Sequence, residues 1–251
     1  MSFYYRLPAA LIAATIAIMQ PEFAVAQLSA QEVEEIERNQ CYPSGEIDFN
    51  EAIRLNPNDA EAYNGRGVVR YEQGDIQGAI TDYNEAIRLE PSYADAYNNR
   101  ARARYDQGDI QGALADLNET IRLEPSYAEA YGNRGYLRSQ QEDIQGAIAD
   151  YNEAIRLDPS YAGAYINRGV VRYDQGDMEG AIADYNEAIR LDPNDGDAYY
   201  NRALVRNRQR DKQGAINDFQ KASELYQQQG NTDSYRDAQN AIRELQKELE
   251  V

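Results

Sequence analysis

The chain has 251 residues, a formal net charge of −18, no histidine and one cysteine. That charge repels the phosphate backbone that dominates nucleic-acid affinity, so it argues against nucleic acid and steers basic partners inward. Without histidine, the common acid–base and nucleophile constellations and nearly every transition-metal site drop out, leaving nothing that argues for an enzyme or a cofactor.

In chain order, residues 1–26 read as a cleaved export signal. Arg6 gives a weakly positive start, Leu7 to Met19 run apolar, and Ala24-Val25-Ala26 has the small-residue pattern of a signal-peptidase site. A retained anchor is the competing reading, but a spanning helix needs roughly 20 apolar residues and Pro21-Glu22 interrupts this stretch. Cleavage removes Arg6 and Glu22, one charge of each sign, so the mature chain keeps −18. The expected destination is the periplasm or the extracellular space, with no membrane insertion after cleavage.

Residues 27–59 form an amino-terminal segment. Leu28, Val33 and Ile36 are apolar candidates to cover that end of the fold. Cys41 has no second thiol to pair with, so it is either a spectator, the simpler reading, or an intermolecular or reactive thiol. Asp48 to Pro57 then matches the second half of a unit that repeats along the rest of the chain.

Residues 60–229 divide into five units of 34 residues, and GAIADYNEAIRLDP stands twice, at 146–159 and 180–193. Each unit has two stretches of helical spacing with a break such as Gln73-Gly74-Asp75. Gly74, Gly108 and Gly176 suit a left-handed helix end, and Asp75, Asp109, Asp143, Asp177 and Asp211 suit the N-cap that follows. Pro91, Pro125, Pro159 and Pro193 close the second helices. Ser92 with Asp95, and Ser126 with Glu129, have capping-box spacing for the next helix. A two-helix hairpin cannot bury its apolar faces alone, so the units must stack into an all-α solenoid.

Residues 230–251 follow as a last helix whose stripe of Tyr235, Ala238, Ile242, Leu245 and Leu249 predicts a cap over the final unit. The alternative is a helix for self-association, giving a structural homo-oligomer. Asp192 to Asp197 resembles a calcium loop only superficially, because Gly196 stands one place early and Ala203 occupies the place of the closing glutamate.

Tyr63, Gly67, Gly74-Asp75, Ala79, Tyr83, Ala86 and Pro91, with their counterparts in later units, resemble the tetratricopeptide repeat (TPR) over roughly residues 44 to 229. The last unit departs from the pattern with Arg210 in place of glycine and Gln227 in place of proline. The resemblance implies a right-handed α-solenoid that binds another polypeptide in a concave groove, as adaptor or assembly factor. YNNRA or YINRG followed by DYNEAIRLDP is similar to repeats abundant in cyanobacterial proteins, which would add the thylakoid lumen to the destinations.

Because the units are near copies, the chain can be compared with itself. Tyr63, Arg66, Arg70, Asp75, Gly78, Ala79 and Asp82 recur in all five units and form the framework. Variation concentrates at Asn64, Val68 and Glu72 and their equivalents, which share one face of the first helix with Glu61. The resemblance places this face in the groove. The candidate groove residues are Glu61, Tyr71, Asp95, Arg102, Tyr105, Asp106, Glu129, Tyr136, Tyr173, Asp174 and Tyr200. Carboxylates and tyrosines there suit a protein or peptide segment that carries Lys or Arg; the bland alternative is solvated surface for the acids and inter-helix packing for the tyrosines. The family's carboxylate clamp is not matched, since Asn64 and Asn98 are present without the lysines. The recurrent Arg66 and Arg70 series is expected to pair with the recurrent Asp82 series, in preference to forming a cationic ladder.

Overall fold

The computed structural model describes residues 49–249; the expected signal segment 1–26, Leu28, Val33, Ile36 and Cys41 lie outside them. The described residues form helices α1 (Phe49–Leu55), α2 (Ala60–Glu72), α3 (Ile76–Leu89), α4 (Ala94–Asp106), α5 (Ile110–Leu123), α6 (Ala128–Gln140), α7 (Ile144–Leu157), α8 (Ala162–Asp174), α9 (Met178–Leu191), α10 (Gly196–Arg208), α11 (Lys212–Gln228) and α12 (Thr232–Leu249), with no strand among them. They fall into two compact units divided within α4, one ending at Asn99 and one beginning at Arg100. In the first, α2 packs on α1 and α3. In the second, α7 lies between α6 and α8, α9 between α8 and α10, and α11 between α10 and α12. Each of α7, α9 and α11 thus serves its own first helix and the helix that follows, which is the stacking expected of an all-α solenoid.

The turns explain the punctuation of the sequence. Asp75, Asp109, Asp143, Asp177 and Asp211 accept a hydrogen bond from the N–H three residues on at 2.9–3.0 Å. Each such cap contributes about 1 kcal/mol. The first helix before it ends in a left-handed residue: Gly74, Gly108 and Gly176 have φ of 82°, 87° and 84°, and Glu142 and Arg210 take 61° and 68°. At the last, Asp211 N–H donates to the Arg206 carbonyl at 2.9 Å and Arg210 N–H to that of Asn207 at 2.9 Å, so the closing bonds form whichever residue is present. A β-carbon in this conformation costs about 1–2 kcal/mol. Glu142→Gly and Arg210→Gly are each expected to stabilise the protein by about 1 kcal/mol, after allowing for the greater freedom of glycine in the unfolded chain. Urea midpoints of the two variants check this.

The expected capping box at Ser126 does not form. The N-cap is Tyr127, which makes no side-chain cap bond, and α8 likewise starts from Tyr161 without one. The Tyr161 ring instead lies against Gly132, where a β-carbon would stand 2.7 Å from its Cε1. Where aspartate stands at the N-cap, at Asp59 and Asp195, the cap bonds are made.

The arginine series pairs with the aspartates as expected, two to one. Arg66 and Arg70 meet Asp82, Arg100 and Arg104 meet Asp116, Arg134 and Arg138 meet Asp150, Arg168 and Arg172 meet Asp184, and Arg202 and Arg206 meet Asp218, all at 2.6–2.8 Å. The aspartates are 2–4% exposed. Nη1 of Arg66, Arg134, Arg168 and Arg202 also reaches Asn50, Asn118, Asn152 and Asn186 on the preceding second helix at 2.6–3.0 Å. The same guanidiniums lie 5.4–5.5 Å over Tyr63, Tyr131, Tyr165 and Tyr199. Each such arginine therefore fastens its own second helix and the one before it.

At the carboxyl end, Ala238, Ile242 and Leu245 of α12 are buried against α11, with Ile242 and Leu245 in one cluster with Ala203, Ile216 and Phe219. Lys212 Nζ stands 3.2 Å from Glu248 Oε2. Ala238, Ile242 and Leu245 thus cover the last unit as the stripe anticipates, while Leu249 at its end stays exposed.

Candidate functional site

In the unit from Arg100 on, the first helices α6, α8 and α10 approach one another more closely than the second helices do, so they form its inner row. The variable first-helix residues divide into three groups by what surrounds them.

The first group packs between repeats, with Gly132 and Ile166 buried and Asn64 and Tyr200 half-buried. Asn64 Nδ2 donates to Tyr93 Oη at 3.3 Å, and its Oδ1 accepts from Asn99 Nδ2 at 3.0 Å. Gly132 makes room for Tyr161, and Ile166 joins the core beside Ala198. Tyr200 packs on Phe219 and Tyr226 at centroid distances of 5.1 and 6.4 Å. Variation at these positions follows the neighbouring repeat, and the expectation that this position faces a ligand is corrected accordingly. Tyr136, 7% exposed, is also interior: Tyr105 meets it edge-on at 5.6 Å with their hydroxyls 3.0 Å apart. Tyr136 thus acts as packing, because a tyrosine buries most of its area when a neighbour offers a ring, and Tyr200 packs on two rings while remaining half-buried.

The second group is half-buried: Tyr71 in the first unit, and Arg102, Tyr105 and Tyr173 in the second. Tyr173 packs on the cluster of Ile166 and Tyr185, and the Arg208 guanidinium lies 5.2 Å over its ring.

The third group is acidic, and helix position separates its members. Glu61, Asp95, Glu129 and Asp197 stand in the first turns of α2, α4, α6 and α10, where the helix dipole favours a carboxylate and structure alone accounts for them. Burial, and then Asp59, Glu90 and Asp95, hold the Glu61 carboxyl above its ordinary range. Asp197 is likewise raised by burial, although Tyr226 Oη donates to it at 2.6 Å. Glu72, Asp106 and Asp174 are instead the last residues of α2, α4 and α8 and are exposed. There the dipole disfavours negative charge by about 0.3–1 kcal/mol each, so capping does not explain them.

Sequence reasoning overlooked one set. Asn99, Asn133, Asn167 and Asn201 recur in four of the five units, one turn after the first-turn position on the same face. Asn167 and Asn201 are half-buried, and an amide offers the donor and acceptor that an extended peptide backbone needs. The signal that could have found them is their recurrence. Among the described residues no group of His, Cys, Asp and Glu is arranged to hold a metal, and no helix is long and apolar enough to cross a membrane.

Comparison with known proteins follows the same units. A family model described as TPR repeat matches residues 48–74, 67–107, 101–142, 135–176 and 171–209, and one described as tetratricopeptide repeat matches 196–233. The crystal structure of MamA is 27% identical, covers 66% of this chain and 96% of that one, and superposes with a TM-score of 0.58. YrrB, described as a TPR protein with an unusual peptide-binding site, is 19% identical over 76% of this chain and 97% of that one at 0.56. PilF of Pseudomonas aeruginosa is 17% identical over 75% and 97% at 0.62. The last two show the fold alone. No curated protein matches the sequence.

Proposed function

Because the chain belongs to the tetratricopeptide repeat family, we propose that it is an exported, non-catalytic scaffold that holds a protein or peptide segment bearing Lys or Arg against its first helices. It would act as an adaptor or assembly factor. The observation that carries this reading is the set of exposed carboxylates at the carboxyl ends of first helices, Glu72, Asp106 and Asp174. They stand where they cost helix stability, whereas each framework aspartate is already held inside by two arginines. A basic side chain brought to these helix ends gains both the carboxylate and the negative end of the dipole. Half-buried Tyr71, Tyr105 and Tyr173 supply rigid contact area with little entropy to lose. Asn167 and Asn201 suit the backbone of the bound segment. Export rests on the amino-terminal segment and absence of catalysis on the lack of histidine.

The test uses chain recovered from the exported fraction, with Gln27 expected as its first residue. Asp106→Lys and Asp174→Lys together should stabilise their helices by up to about 1 kcal/mol each while weakening capture of a Lys/Arg-rich peptide about tenfold. The double variant should also flatten the salt dependence of capture. Unchanged affinity in the double variant would reject the proposal.

A further inference from the structure

The turn joining α10 to α11 differs in charge from the four before it. Residues 70–76, 104–110, 138–144 and 172–178 each hold one arginine and two carboxylates. Residues 206–212, RNRQRDK, hold Arg206, Arg208, Arg210 and Lys212 against Asp211 alone. Two of these cations are structural. Arg206 Nη1 stands 2.8 Å from buried Asp218, and Lys212 is paired with Glu248 of α12. The other two are exposed and make no ion pair among the described residues. Arg208 is held by one face over the Tyr173 ring, so its guanidinium is fixed in place while its N–H groups bond to no described residue. The helix dipole favours a cation at Arg208 but gives no reason for Arg210.

Arg210 carries the sharper signal. It adopts φ 68° where Gly74, Gly108 and Gly176 stand in equivalent turns. Glu142 is the other exception to glycine, but its turn keeps the ordinary one arginine and two carboxylates, whereas at Arg210 the strained side chain adds to the basic patch.

We propose that the α10–α11 turn is a docking point for an acidic polypeptide segment whose carboxylates are bound by Arg208 and Arg210. A guanidinium presents a planar fork that matches a carboxylate in two hydrogen bonds. The −18 net charge repels nucleic acid and acidic peptide alike at long range, so carboxylates engage the two arginines only at contact range. Arg208 ends α10 and lies over Tyr173, so the site adjoins the inner row at one end; it is of opposite charge, and an acidic probe tests it apart from the reading of that row.

The experiment follows binding of a fluorescein-labelled oligoglutamate peptide to the mature chain at low salt by anisotropy. Arg208→Gln with Arg210→Gly should weaken binding about tenfold or more, and salt should suppress wild-type binding. Arg210→Gly also relieves strain, so a weaker affinity accompanied by a higher melting temperature cannot come from unfolding. Glu142→Gly relieves the same strain in a turn without the patch and should leave binding unchanged. Capture of a Lys/Arg-rich peptide should not weaken in the double variant, since removing two cations beside Tyr173 leaves less to repel it. No binding by wild type, equal binding by the double variant, or binding of a single-stranded oligonucleotide in place of the peptide would overturn the proposal.

Discussion

Replacing Asp150 with alanine is expected to destabilise the protein by about 3–5 kcal/mol, read as a shift of the urea midpoint. Asp150 is 3% exposed and accepts from Arg134 Nε at 2.9 Å, Arg134 Nη2 at 2.7 Å and Arg138 Nη1 at 2.8 Å. Its removal takes away three charge-assisted bonds and leaves two guanidiniums whose side chains are only 15% and 30% exposed. Arg134→Ala should cost less, because Asp150 keeps Arg138. For the same reason, exchanging Arg134 and Asp150 is not expected to restore stability, since the new arginine would face Arg138. A loss below about 1 kcal/mol for Asp150→Ala would mean that the pairs behave as surface ion pairs.

Gly169→Ala is expected to destabilise by about 1–2 kcal/mol, although alanine is the better helix former by about 1 kcal/mol. A β-carbon at Gly169 would stand 2.7 Å from Cε1 of Tyr185, which is 2% exposed and fixed by the core of α8, α9 and α10. The chain contains its own control. Gly67, Gly135 and Gly169 accompany Tyr83, Tyr151 and Tyr185, whereas Ala101 accompanies Leu117 and Ala203 accompanies Phe219. Adding Tyr185→Leu to Gly169→Ala should therefore recover stability, with a favourable coupling of about 1 kcal/mol in a double-mutant cycle. Strict additivity of the two changes would show that the correlation is accidental.

Both predictions concern residues whose roles were legible in the sequence, because five copies of one pattern expose what every copy needs. Recurrence of two arginines and one aspartate pointed to their pairing; the sharing of one carboxylate by both arginines, and the asparagine of the preceding helix, appeared only with the helices in place. The Gly–Tyr pairing was also in the sequence, but only a ring lying 2.9 Å from a would-be β-carbon, as Tyr151 does at Gly135, identifies its cause.

The candidate site was legible only in part. Spacings of three and four residues placed Asn64, Val68 and Glu72 on one face of their helix, and variation there was taken as a sign of ligand contact. Asn64 instead answers to Tyr93, 29 residues on, and Gly132 to Tyr161. Periodicity assigns a residue to a face of its own helix and carries no information about which neighbour covers that face. Helix ends supplied the missing distinction, since the field of the backbone separates Glu61 and Glu129, which it favours, from Glu72, Asp106 and Asp174, which it does not.

By itself the sequence determined the period, the two helices of each unit, the aspartate caps and the capping stripe at the carboxyl end, because each depends on contacts within roughly one turn or on exact repetition. The tertiary structure alone decided which variable residues are packing and which remain at the surface, why tyrosine replaces a cap at Tyr161, and that Arg208 and Arg210 are left without acidic partners among the described residues. Those outcomes depend on side chains from the next repeat or the next helix, and stacking brings them together only after each hairpin has formed.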